Sequence, residues 1–154
     1  MSFHPTAKIA LKKINFAKRF ESLCRKYNKP KGIARIDKKE LLNRLQELRY
    51  SFKYADRCIY LIKDWHKDIK SHTVFQLRYG IFLGYFNIAV HNEYLDLNSG
   101  NFGSIAYFLD KELTAPGMPV FTSHEEFKEI AQEVMAIYED FKEKFLLAFD
   151  NVQS

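Results

Sequence analysis

The side chains able to do chemistry in this 154-residue chain fall in two short runs. One is Asp64-Trp65-His66-Lys67-Asp68, the other His91-Asn92-Glu93-Tyr94-Leu95-Asp96. An imidazole beside carboxylates is raw material for acid–base catalysis, because its unperturbed pKa lies near neutrality. Several imidazoles brought together, His66 with His72 or His91, would be raw material for a metal site. Each run also has a plain structural reading. On a helix, Asp64 and Asp68 share a face and His66 points elsewhere, so the first run builds no acid–base pair locally. His66 then reads as a buried histidine bonded to a neighbour. His91 and Glu93 are the residual candidates for an enzymatic site, and a polar helix terminus is the plainer account of them.

Other signatures of chemistry are missing from the sequence. It has no Gly-rich phosphate loop, paired-Cys motif or two-His zinc signature. It has no Glu-x-x-His pair of the di-iron kind and no serine elbow. Cys24 and Cys58 fit neither a metal spacing nor a disulfide framework, which points to a reducing, cytoplasmic setting. The opening segment MSFHPTAKIALKK lacks the apolar core and cleavage site of a secretory signal. The expectation is a non-catalytic protein without metal or cofactor.

Charge is distributed unevenly. Residues 1–70 hold 19 Lys/Arg against 7 Asp/Glu, and residues 71–154 hold 5 against 12, so +12 and −7 make up the net +5. Either the halves neutralise each other within the fold, or the basic half presents a field to an anionic partner. In the second case Lys12, Arg19, Lys26, Lys29, Lys31, Arg35 and Arg44 would grip RNA or DNA phosphates. Fourteen Phe and nine Tyr exceed what core filling asks for, and such residues anchor protein interfaces. Tyr50, Tyr54, Tyr60 and Phe102 are the candidate anchors for a protein partner. A regulatory, immunity-type or complex-subunit protein would work by contact of this kind.

Apolar spacing must say which elements hold these residues. From Asp37 to Lys70 the positions Leu41, Leu45, Leu48, Phe52, Ala55, Ile59, Ile62, His66 and Ile69 step by four and three. That spacing predicts one helix of about nine turns. Asp37 and Glu40 form a capping box at its start. The same segment could serve as a homodimer seam. Residues 6–27 read as a basic amphipathic helix with Ile9, Phe16, Phe20, Leu23 and Tyr27 inward, ended by Asn28–Gly32. Residues 74–97 read as a mostly apolar central helix, with Gly80 and Gly84 on one face for close helix approach. Arg78, Asn87, His91 and Glu93 interrupt it, so it is not a membrane span. A short helix over 104–113, capped by Ser104, precedes a turn through Thr114-Ala115-Pro116-Gly117-Met118-Pro119. The last helix, 123–149, opens with Ser123 and Glu126 as a capping box. The fold predicted is all-α: a single-domain, irregular antiparallel helix bundle of four long helices and one short.

Overall fold

The computed structural model describes residues 3–113 and 117–153, with side chains as far as Asp150. Its elements are α1 (Pro5–Lys13), α2 (Phe16–Lys26), α3 (Lys38–Gln46), β1 (Lys53–Ala55), β2 (Cys58–His66), β3 (Ile69–Arg78), β4 (Ile81–Val90), β5 (Glu93–Tyr94), α4 (Phe102–Leu109) and α5 (His124–Gln153). The five strands form one antiparallel meander in chain order. The fold is therefore α+β, and the all-α bundle is incorrect. Of the long helix expected over 37–70 only Lys38–Gln46 is helical, and the helix expected over 74–97 is most of a β-hairpin. A homodimer seam along 37–70 has no helix to carry it.

Local chemistry explains the strands. β2, β3 and β4 are dense in Ile, Val, Phe, Tyr and Thr, which suit a pleated surface. Three connections are two-residue turns with both residues at positive φ: Asp56-Arg57, Tyr79-Gly80 and His91-Asn92. Paired left-handed residues make the turn whose twist matches that of the flanking strands. Gly80 therefore serves the β3–β4 turn at φ +80°. Gly84 lies beneath the Phe102 ring, where a Cβ would collide. Neither glycine sits on a helix–helix face.

The inner side of the sheet is Ile59, Leu61 and Trp65 on β2, Ser71, Thr73, Phe75 and Leu77 on β3, and Phe82, Phe86 and Ile88 on β4, all buried. α5 lies across it. Phe127 meets Phe82, with ring centroids 5.9 Å apart. Further along α5, Phe141 and Phe145 meet Trp65 at 5.7 and 5.9 Å. The other helices pack around α5. The chain breaks between α1 and α2 at Asn15, which is left-handed at φ 56°. Phe16, Phe20, Leu23 and Tyr27 are buried as expected, whereas Ile9 faces solvent. Asp37 caps α3 by accepting from the Glu40 N–H at 3.2 Å. Ser123 accepts from the Glu126 N–H at 3.1 Å, and the Glu126 carboxylate accepts from Thr122. α4 is capped by Asn101, not Ser104, and ends before the expected Leu113. Of the turn expected over 114–119, Thr114, Ala115 and Pro116 lie outside the described residues, and Gly117 is left-handed at φ +70°.

One hydrogen-bonded relay crosses the core. The Trp65 indole N–H donates to the Tyr138 hydroxyl at 2.8 Å. That hydroxyl lies 3.1 Å from Ser71 Oγ, which donates to the Lys63 carbonyl at 3.2 Å. Tyr138 is 1% exposed, so its hydroxyl has no water to fall back on. Tyr138→Phe should leave the Trp65 N–H without its partner and lower unfolding free energy by about 1–3 kcal/mol. Urea denaturation of the two proteins measures this, and a loss below about 0.5 kcal/mol would contradict it.

Candidate functional site

A sheet sealed on one side by helices exposes the other, and strand alternation decides what stands there. The register sets the outer residues in rows across β2, β3 and β4. They read Cys58–Gln76–Leu83, Tyr60–Val74–Tyr85, Ile62–His72–Asn87 and Asp64–Lys70–Ala89, the last continued by Tyr94 on β5. Among the described residues, no helix lies over these rows. Ile62 is 57% exposed and Tyr94 64%. The Tyr94 ring stands edge-on to His72, centroids 5.5 Å apart. Two adjoining hollows share Ile62, His72 and Tyr94. One, of about 430 Å³, continues over Tyr60, Val74 and Asn87. The other, of about 500 Å³, reaches the Lys67-Asp68 and His91-Asn92 turns.

Charge on this face is nearly balanced. Lys70 lies 3.9 Å from Asp64, and His91 Nδ1 lies 3.7 Å from Asp68. The two turns are also joined by backbone, the His91 N–H donating to the Asp68 carbonyl at 2.9 Å. Burial first, and the Lys70 ammonium second, hold the His72 imidazole below its ordinary pKa. The face is thus neutral, aromatic and hydrogen-bonding.

The catalytic candidates are not assembled there. The larger hollow gathers His72, His91, Asp64 and Asp68, but Glu93 is not among its lining residues, nor is any Ser, Thr or Cys. A 3.7 Å imidazole–carboxylate separation is longer than the hydrogen bond that orients a general base. His66 is exposed at the end of β2 and not buried as its spacing suggested. Among the described residues, no three His, Cys, Asp or Glu side chains are grouped to hold a metal ion.

The basic residues named from sequence are divided. Arg19 bridges two carboxylates of α5, Asp140 at 2.8 Å and Glu133 at 3.8 Å. Lys29 pairs with Glu126 at 3.8 Å, and Arg44 with Glu125 and Glu40. Lys12, Lys26, Lys31 and Arg35 are exposed, on α1, on α2 and in the loop after it. The two halves of the chain therefore neutralise each other in part, along α5. Among the aromatic candidates, Phe102 is a core residue at 3% exposure and not a surface anchor. Tyr50 is half-buried, donating to Glu139 at 2.7 Å and edge-on to Tyr138. Burial first, and that carboxylate second, raise the pKa of its phenol above the usual range. Tyr54 is half-buried under Lys38, whose Nζ lies 5.2 Å from the ring centroid. Only Tyr60 stands on the open face. Ile62 and Tyr85 have no site reading from sequence, and His72 and Tyr94 enter only through the metal and acid–base readings, because strand pairing alone brings the four to one face.

Comparison with known protein families, characterised proteins and solved structures found no match. Among the described residues, no helix is long and apolar enough to cross a membrane.

The histidines set a pH dependence. Burial favours the neutral imidazole of both His4 and His72 in the fold, while the unfolded chain takes up the proton near 6.5. Their contribution is complete above pH 6.5 and is lost as pH falls through the lower folded values. The urea midpoint should therefore drop between about pH 6.5 and 5, with His72→Gln flattening part of the slope. A midpoint that rises over that interval would contradict the assignment.

Proposed function

We propose that this chain is a cytosolic, non-catalytic binding protein whose open sheet face receives a protein partner. The observation that carries the reading is the outer face itself. Tyr60, Ile62, Val74, Tyr85 and Tyr94 stand on a rigid sheet with few net charges, the composition of an interface centre. Aromatic anchors fixed by cross-strand neighbours lose little side-chain freedom on binding. The face also exposes polar tips, the Tyr60 and Tyr94 hydroxyls and the Asn87 amide, which favours a hydrogen-bonding protein surface over lipid. The buried thiols of Cys24 and Cys58, neither in a disulfide, support a reducing compartment.

The alternative, a nucleic-acid-binding subunit, draws on the exposed Lys12, Lys26, Lys31 and Arg35. It is weakened because Arg19, Lys29 and Arg44 are engaged by α5 carboxylates. Phosphate contacts would have to displace these before gaining anything.

Affinity capture from host lysate, with and without nuclease, compares the two readings. A captured protein should survive nuclease and be lost from Ile62→Asp and Tyr94→Ala. Both positions are exposed, so melting should stay within about 0.5 kcal/mol of wild type. Capture that disappears with nuclease, or that is unchanged in both variants, would overturn the proposal.

A further inference from the structure

Part of the positive charge that the α5 carboxylates do not neutralise lies at the β3–β4 turn end of the sheet, on Arg57 and Arg78. The loop after α2 docks there on the β3–β4 turn. A Cβ on Gly32 would collide with the Tyr79 carbonyl and come within 2.7 Å of the Gly80 Cα. The Ile33 N–H donates to the Phe121 carbonyl at 2.9 Å, and the Phe121 N–H to the Gly80 carbonyl at 2.8 Å. The Leu77 N–H donates to the Arg57 carbonyl at 3.1 Å, tying the β1–β2 turn to β3. These backbone bonds hold the loop after α2 and the β1–β2 and β3–β4 turns around one groove. Ile33 and Ile36, both half-buried, supply apolar surface above the buried Leu77, Tyr54 and Tyr79 flank it, and Arg57 and Arg78 bring charge.

Its volume, about 220 Å³, is below the roughly 300–1,000 Å³ of small-molecule sites and suits an inserted side chain. Arg57 and Arg78 have no carboxylate partner among the described residues, unlike Arg19 and Arg44. Two acids lie close in sequence. Asp56 shares the turn with Arg57 without pairing to it, and Asp37 is engaged with the Glu40 N–H. Two residues here hold left-handed backbone without being glycine, Arg57 at φ 62° and Tyr79 at φ 56°. Both belong to the two-residue turns Asp56-Arg57 and Tyr79-Gly80, whose geometry sets that backbone and places their side chains at the turn tips. Tyr79 is 64% exposed, with the Arg78 guanidinium 5.4 Å from its centroid.

We infer that this groove binds an acidic protein segment that inserts one apolar side chain between two arginines. Carboxylates pair with Arg57 and Arg78, and an apolar anchor fills the slot against Ile33 and Ile36. Single-stranded nucleic acid fits less well, because Tyr79 and Tyr54 each already carry a cation on one ring face where a base would stack. The site is separate from the open sheet face, and Tyr94→Ala leaves it intact.

The test is fluorescence anisotropy with the full chain and three probes. They are a labelled Asp/Glu-rich peptide with one central Phe, the same peptide with Ser for Phe, and a single-stranded oligouridylate. The Phe peptide should bind most tightly and weaken as salt rises. Arg57→Asn with Arg78→Gln should weaken it by about tenfold or more. Asn tolerates the left-handed turn position and Gln keeps part of the Arg78 stem. If the double variant melts early, Arg57→Asn alone carries the comparison, with a loss of about threefold or more expected. The inference fails if the oligouridylate binds more tightly than the Phe peptide, if the Ser peptide binds equally, if the arginine variants bind like wild type, or if no probe binds. The sheet-face reading survives each of those failures, because its own test uses Ile62→Asp and Tyr94→Ala.

Discussion

One helix has to seal the aromatic inner face of a five-stranded sheet, and the rest of the structure follows from that. α5 meets the constraint with Phe127, Tyr138, Phe141 and Phe145, each at 1% exposure or less. Their rings reach Phe82, Phe86 and Trp65 on β4 and β2. Aromatic packing alone would allow the helix to slide along the sheet. The Tyr138 hydroxyl sets the register, because it must meet both Trp65 Nε1 and Ser71 Oγ in a buried setting where an unmet polar atom costs about 1–3 kcal/mol. Once α5 is fixed, α1, α2 and α3 have a surface to pack on. Its outward carboxylates then draw in Arg19, Lys29 and Arg44.

The two candidate surfaces are consequences of that arrangement. Helices occupy only one side, so the outer face stays open. Its rows of Tyr, Ile and Val stand where a helical layer would otherwise lie. The acidic groups of the C-terminal half are concentrated on α5, where they pair with Arg19, Lys29 and Arg44, while Arg57 and Arg78 have no carboxylate partner among the described residues. Exposed ion pairs of this kind contribute little to stability, typically below about 1 kcal/mol. Their effect here is on where the remaining field points.

The end helices are legible in the sequence because one side of each meets water. The inward set of α2 and the caps at Asp37 and Ser123 can be read directly. The sheet is not legible in the same way. Both faces of β2 carry apolar residues, Ile59, Leu61 and Trp65 inward with Tyr60 and Ile62 outward, so the polar beat that marks a strand is missing. An apolar run of that kind also satisfies a helical template, and Ile59, Ile62 and Ile69 happen to keep its step. The turns hide as well. Asp56-Arg57 and His91-Asn92 lack the glycine that advertises a two-residue hairpin, and only Tyr79-Gly80 carries one. The candidate face is hidden for the same reason, since His72, Tyr85 and Tyr94 become neighbours only through strand pairing. The unpaired lysines and arginines are equally hard to foresee, because pairing with α5 depends on where that helix lies.

Hydroxyl-radical footprinting of the purified chain tests the central claim most directly, that α5 seals one face of the sheet and leaves the other free. Ile62 and Tyr94 should oxidise readily, while Trp65, Phe86 and Tyr138 stay protected under native conditions. Protection of Ile62 and Tyr94, or rapid oxidation of Trp65 and Tyr138, would contradict it.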